Sequence, residues 1–313
     1  MPPAILIVGA TGNTGRNVVR TLPNLLKATI GSHRILALTR DVKSSASQDL
    51  AKIPHVELIE KDWTEIDQAW LKAHGVVRAF VAGHILPSQF MDESALYLAM
   101  LQAAVEYVVK ISTMDEFVGP ANTVYYGRAH WAIEEMLSHQ DFEALQWTSL
   151  RPNVFTSVYL ASAIQWVKDY KRTEEQQPLK ILLGADDKMA LIDPDDIGLT
   201  AATLLATENP SPHNKAKYIL RGAEDITGQG VVNLVEQHTG VKVQDVRFRD
   251  TSMITDMVKY GYPEKVISSI ISACEPVWAG KCTTSFRPTS KPIMEIAPPT
   301  TRIADAFKAL LEG

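Results

Sequence analysis

Short apolar runs alternate with longer amphipathic segments through the first half of the chain. Ala4-Ile5-Leu6-Ile7-Val8 is apolar at every position, as a strand covered on both faces should be. Val18, Val19 and Leu22 then share one side of a helix expected over 12–26, with Pro23 in its last turns. Further strands are expected over 34–38, 56–59, 76–81, 107–111 and 146–150, with helices over 93–105 and 126–138. Strands regularly separated by helices predict an α/β fold built on a doubly wound, mostly parallel sheet of six or seven strands.

After Arg151 the rhythm changes. The polar run over 169–177 reads as an exposed loop between helices. Lys180-Ile181-Leu182-Leu183 and Ala190-Leu191-Ile192 read as short strands around a turn at Gly184-Ala185-Asp186-Asp187. A helix follows from Asp193-Pro194-Asp195-Asp196 to near Thr207, with Asp195 or Asp196 as its cap. Prolines between Pro276 and Pro299 mark a long surface excursion before an amphipathic segment over 303–311. The expected organisation is a Rossmann-type nucleotide domain over 1–155, rejoined by 190–222. A smaller C-terminal substrate-binding lobe is expected from 156–189 and 223–313.

Composition narrows the classes. The 313 residues are 46% hydrophobic and 21% charged with a net charge of −5, so no basic field invites nucleic acid or an anionic membrane. Met1-Pro2-Pro3 lacks a positive leader segment, and the apolar run behind it stops at Gly9. No stretch approaches the ~20 apolar residues of a membrane span. Cys274 and Cys282 have no His or further Cys near them, which argues against zinc and against a disulfide framework. A reducing, cytoplasmic setting is the expectation, and no metal is expected.

The strongest chemical signal is Gly9-Ala10-Thr11-Gly12-Asn13-Thr14-Gly15, directly after the first strand and opening the first helix. One glycine permits the turn, one lets backbone approach a phosphate, and one lets helix and strand pack closely. The helix end adds free N–H groups and a positive dipole, so the loop predicts a dinucleotide pyrophosphate site. The second strand runs into Thr39-Arg40-Asp41. An NAD-preferring site would carry an acid at the strand end, whereas Arg40 suits a 2′-phosphate, so NADP(H) is the expected cofactor. The plain alternative is an exposed Arg in a charged loop.

Together with Tyr126-Gly127-Arg128-Ala129-His130 and Leu150-Arg151-Pro152-Asn153-Val154-Phe155, these residues resemble the atypical short-chain dehydrogenases/reductases, above all the NmrA-like branch. His130-Trp131-Ala132-Ile133-Glu134-Glu135-Met136-Leu137 and Ile192-Asp193-Pro194-Asp195-Asp196-Ile197-Gly198 extend the likeness, which spans roughly 4–240. The resemblance implies that Asp62 lies by the adenine, that Gly83 and His84 pass the cofactor ribose, and that Ser112 completes an oxyanion contact. It places Tyr126 in the position of the catalytic tyrosine and His130 in that of the lysine four residues on. His lowers the tyrosine pKa less than Lys would. Lys110 could replace that missing lysine, although a strand-end Lys reaching solvent is the plainer reading. Pro152, Asn153 and Phe155 would border the nicotinamide pocket, Phe155 as a wall or simply as packing.

Three readings remain open. Tyr126 and His130 could serve proton transfer in NADPH-dependent reduction. Hydride could instead pass to a quinone-like or conjugated acceptor that needs little acid catalysis. Or the chain could be a non-catalytic NADP(H) sensor bound to a protein partner. Tyr159, Trp166, Tyr260, Tyr262, Trp278 and Phe286 read first as core; facing a crevice, they would imply a planar, apolar or aromatic substrate. The expected partners are that small substrate and, as an assembly left open, a second copy in a homodimer.

Overall fold

The computed structural model describes residues 2–31 and 33–313, so Met1 of the leader segment lies outside the described residues. The first half forms β1 (Ala4–Val8), α1 (Gly15–Ala28), β2 (Arg34–Thr39), α2 (Ser45–Ala51), β3 (Val56–Glu60) and α3 (Gln68–His74). It continues with β4 (Val76–Val81), α4 (Gln89–Gln102), β5 (Tyr107–Ile111), α5 (Tyr125–Ser138) and β6 (Gln146–Pro152). Then come α6 (Thr156–Tyr159), α7 (Ala161–Thr173), β7 (Leu179–Ile181), β8 (Lys188–Met189), α8 (Pro194–Ala206) and β9 (Ala216–Leu220). The last third holds β10 (Ile226–Thr227), α9 (Gly228–Thr239), β11 (Val246–Phe248), α10 (Ser252–Thr255) and α11 (Glu264–Ser272). It closes with α12 (Cys274–Trp278), α13 (Lys291–Ile296) and α14 (Ile303–Glu312).

Among the described residues the main sheet has seven parallel strands, ordered β3-β2-β1-β4-β5-β6-β9. This is a Rossmann-type sheet whose order reverses between β1 and β4, where such folds open a crevice at the strand C-termini. Strand alternation divides the core. Ile5 and Ile7 face α1 and α8 with Val18, Leu22 and Ile197, while Leu6 and Val8 face α4 and α5 with Tyr97, Met100 and Ile133. A third apolar cluster joins α7, α9 and α14, outside the sheet.

The structure moves several expected boundaries. α1 starts at Gly15, not Gly12, because the loop before it folds back with the Gly12 N–H on the Gly9 carbonyl at 2.9 Å. It also continues through Pro23 to Ala28, and Pro23 is buried within it. The polar run over 169–177 is not wholly a loop: Asp169 bonds Gln165 and Arg172 along α7, which ends only when Glu174 turns left-handed at φ 59°. The two short strand segments do not pair with each other, since β7 runs parallel to β11 and β8 antiparallel to β10. Residues 190–192 form no strand; Ile192 makes one bridge to Phe155. The cap of α8 is Asp193, which accepts from the Asp195 N–H at 2.9 Å, while Asp196 accepts from the Thr301 N–H. The proline-rich stretch carries α12 and α13.

α8 is held from both ends. Its Gly198 sits where a Cβ would lie 2.6 Å from the Asn17 Cβ and 2.8 Å from the Thr14 carbonyl, so a larger residue would push α8 off α1. At its C-terminus, Arg78 of β4, only 6% exposed, donates to the Leu205 and Thr207 carbonyls at 2.7 and 2.6 Å. A cation there also meets the negative end of the helix dipole. Arg78→Met leaves those carbonyls without their donor and should lower the unfolding free energy by about 1–3 kcal/mol, read from urea denaturation.

Candidate functional site

The glycine loop is shaped by close backbone contacts. Gly9 has φ +79°, and a Cβ there would fall 2.7 Å from the Ala82 carbonyl. A Cβ on Gly15 would fall 2.1 Å from the Gly9 carbonyl. Both positions therefore exclude a side chain, the first by conformation and contact and the second by contact alone. Thr14 caps α1 without a side-chain hydrogen bond, and the first turn carries no acid, so the positive end of the helix faces the loop unneutralised.

Over this loop lies a cavity of about 480 Å³ lined by Gly9, Thr11, Gly12, Leu38, Thr39, Arg40, Lys61 to Thr64, Ala82 to His84, and Leu86. Asn13 is exposed beside it, and Thr14 and Gly15 are buried behind it. Thr39 is anchored to Ser47 at 2.8 Å, and the Asp41 carboxylate turns away to the Lys43 N–H at 2.8 Å. Arg40 is thus the charged side chain of the β2 end that lines the cavity, and among the described residues it has no hydrogen-bond partner. Asp62 caps the turn Trp63–Glu65 by accepting from the Thr64 N–H and hydroxyl, and those bonds hold its carboxyl below the ordinary range. His84 accepts from the Leu86 N–H at its Nδ1 and meets Asp92 through Nε2 at 3.0 Å, with the Trp63 ring 5.3 Å away. The Nδ1 bond puts the proton of the neutral ring on Nε2. Gly83 packs directly on Glu93.

Beneath the strand ends runs a buried polar chain. Lys110 is fully buried, which corrects the reading of a strand-end Lys reaching solvent: its neighbours on the sheet are Val81 and Ser149, in the middle of the sheet. Its Nζ donates to the Ile111 carbonyl at 3.0 Å and stands 3.3 Å from His130 Nδ1. His130 in turn lies 3.1 Å from Gln89, which donates to Glu93 at 2.9 Å, and Tyr97 donates to the other oxygen of Glu93 at 3.1 Å. Burial first, then the charges of Lys110 and Arg151, drive the His130 pKa well below its ordinary value. His130 is therefore neutral.

Among the described residues no hydrogen bond joins Tyr126 to His130. Tyr126 instead packs edge-on to Phe117 and Tyr125, and its hydroxyl pKa is raised, mainly by burial. His130 reaches inward to Lys110, while the Tyr126 ring packs against the third apolar cluster. Ser112, 5% exposed, keeps a hydroxyl with no hydrogen-bond partner at the end of β5. The Asn153 amide donates to the Ala190 and Cys282 carbonyls at 2.7 and 2.9 Å and so staples β6 to the later segments. Pro152 ends β6 beside Leu220, and Phe155 packs on the core face that holds Ile192. None of these three lines the cavity over the loop. Burial pushes Cys274 up to about 11 and Cys282 up to about 12, so neither thiol is a ready nucleophile. Of the aromatics after residue 155, Trp166 is buried, whereas Tyr260 and Phe286 are 81% and 52% exposed.

Sequence reasoning missed an ion network behind β5 and β6. Arg151 bridges Asp115 and the fully buried Glu134, Arg287 also meets Asp115, and buried Arg221 pairs with Glu116 at 2.5 Å. The only linear signal was Arg151 within its Leu-Arg-Pro run. Burial works against the charge of Glu134, but Arg151, Lys110 and Ser149 outweigh it and hold the pKa below the ordinary carboxylate value. A second cavity, of about 740 Å³, shares the lining residue Leu86 with the first.

A model described as the NmrA-like family matches residues 1–283. The NAD(P)H azoreductase of Xenophilus azovorans is 26% identical over 309 residues, covering 97% of this chain and 99% of that one. Among solved structures, an NADPH-dependent quinone oxidoreductase of Escherichia coli complexed with NADPH superposes with a TM-score of 0.72 at 21% identity, over 98% and 99% of the two chains. The negative transcriptional regulator NmrA, in complex with NADP, gives 0.65 at 15% identity, over 100% and 92%. These structural likenesses establish the shared fold.

Two outcomes follow from the buried charges. Lys110→Met removes one of the charges that depress His130 and should raise its pKa, though burial keeps it below the ordinary value; NMR titration of the imidazole protons reads the shift. The folded-state pKa of Glu134 is lowered, so its stabilisation is complete above the ordinary carboxylate pKa and lost as pH falls through the folded one. Glu134→Gln should cost about 3–5 kcal/mol at pH 7, and urea titrations at falling pH should show the gap from the parent protein narrowing.

Proposed function

The chain belongs to the NmrA-like family, and on that premise we propose that it is an NADPH-dependent oxidoreductase acting on a small aromatic quinone-like or conjugated acceptor. The observation that carries this reading is a cavity of about 480 Å³ over a phosphate-type loop, with a second cavity of about 740 Å³ that shares Leu86 with it and has a largely apolar floor. The relatives named as an azoreductase and a quinone oxidoreductase support the same reaction class.

The residues present fit NADP(H). The Gly9–Gly15 loop and the start of α1 would take the pyrophosphate, Arg40 the 2′-phosphate, Asp62 and Trp63 the adenine end, and Gly83 with His84 a ribose. When bound, the nicotinamide supplies the hydride. The chain supplies orientation and charge. Lys110 and neutral His130 form a fixed positive centre beneath the strand ends, and the lone Ser112 hydroxyl offers a hydrogen bond at the end of β5. Tyr126, its hydroxyl pKa raised mainly by burial, would hold its proton. That arrangement suits an acceptor needing little acid catalysis, which favours a quinone over a simple ketone.

A second reading has one observation in its favour. Ile85, Leu86, Phe90, Met91 and Leu98 are 49, 44, 43, 65 and 46% exposed around the start of α4, an apolar strip of the kind that meets a protein partner. An NADP(H)-binding regulator would use it.

The test is NADPH oxidation at 340 nm against quinones, enones and aromatic ketones, with calorimetric titration of NADPH and NADH. Turnover of quinones with NADPH bound more tightly than NADH is the expected result. Arg40→Ala should weaken NADPH by about tenfold with little change in NADH. Tight NADPH binding without turnover on any acceptor would favour the regulator.

A further inference from the structure

The larger cavity carries more information than its size. Its wall combines Leu86, Pro87, Tyr125, Ala129 and Val266 with the hydroxyls of Thr123, Ser268, Ser269 and Ser272. Tyr125 is pinned at both ends: its backbone N–H donates to Ser269 Oγ at 2.8 Å, and its hydroxyl donates to the Ile85 carbonyl. Ser269 Oγ also donates to the Thr123 carbonyl at 2.8 Å, tying α11 to the start of α5. The aromatic ring is thereby a fixed wall, ready to meet a flat ligand without losing freedom on binding.

The charge of the wall is one-sided. Arg128 and Lys265 both line the cavity, and no Asp or Glu does. Arg128 donates to the Asn122 carbonyl, and among the described residues neither cation has a carboxylate partner. Two cations without a carboxylate partner thus stand over an aromatic and aliphatic floor. The volume, about 740 Å³, lies in the range of small-molecule pockets.

We infer that this cavity binds a planar aromatic acceptor bearing an anionic group, a sulfonate or carboxylate, with the ring against Tyr125 and the anion on Arg128 and Lys265. The inference rests on the reductase reading for calling the ligand an acceptor, but the binding site itself stands on the cavity. Arg128 supplies paired N–H donors suited to a flat or tetrahedral oxyanion, and Lys265 adds a point charge.

Two measurements test it. Calorimetry in the presence of NADP⁺ compares naphthalene-2-sulfonate with 2-naphthol, and steady-state kinetics compares 1,4-naphthoquinone-2-sulfonate with 1,4-naphthoquinone. The sulfonates should bind about tenfold more tightly and show a correspondingly lower KM. Arg128→Gln combined with Lys265→Gln should collapse that preference to near unity, while Arg128→Lys should retain most of it. Equal affinity for the charged and neutral ligands, or a preference untouched in the double variant, would overturn the inference. Equal turnover of both quinones would overturn it and leave the reductase reading standing. Selective binding of the sulfonate without any turnover would keep the anion site and overturn the reductase reading.

Discussion

The meeting of Gly15 with the Gly9 carbonyl sets how closely α1 lies against β1. With a Cβ position only 2.1 Å from that oxygen, any side chain would lift the helix away from the strand. Glycine brings the uncapped end of α1 against the ends of the central strands, where the crevice of a doubly wound sheet opens. The second glycine, Gly9, bends the loop against Ala82 and so couples it to the segment after β4. Gly198 repeats the device on the far side, letting α8 press on α1. Three absent side chains thus determine where the cavity lies and which strand ends border it.

Behind that crevice, charge is buried rather than exposed. Lys110, His130, Gln89, Glu93 and Tyr97 connect β5 to α5 and α4, and Glu134 with Arg151 and Asp115 connects α5 to β6 and the segment after β5. Buried charges are tolerated only when paired and hydrogen-bonded, so these contacts restrict how α5 can sit on the sheet. Along α5, His130 is tied to the sheet by polar contacts, whereas the Tyr126 ring packs edge-on to Phe117.

The segment after β4 borders both cavities. Leu86 lines both, the Ile85 carbonyl accepts the Tyr125 hydroxyl, and His84 is braced by Asp92 and the Leu86 N–H. A short, well-braced segment therefore lies between the cavity over the glycine loop and the larger one beside Tyr125. Orientation of two reactants across such a boundary is the main contribution a protein makes when the cofactor supplies the chemistry.

The periodicity of the first half, the glycine spacing and the order of the quoted motifs were enough to read the α/β class, the sheet and the loop, because each depends on local sequence. Strand hydrophobicity and a turn-forming glycine act within a few residues and survive in the linear chain. Of the Thr39-Arg40-Asp41 run, the structure adds that the Asp41 carboxylate turns to the Lys43 N–H. What the line could not show was partnership. That Lys110 meets His130 and not solvent, that Asn153 donates to the Ala190 carbonyl and that Tyr126 packs on Phe117 depend on residues distant in the chain. The cap of α8 moved from Asp195 or Asp196 to Asp193, because Asp196 is claimed by Thr301. The cavity joining α5 to α11 was invisible for the same reason: its walls come from distant segments that only packing brings together, and its unopposed charge exists only once they meet. The sequence by itself determined the backbone scaffold and its phosphate-type loop, and the tertiary structure alone decided which side chains share a dielectric and a hydrogen bond.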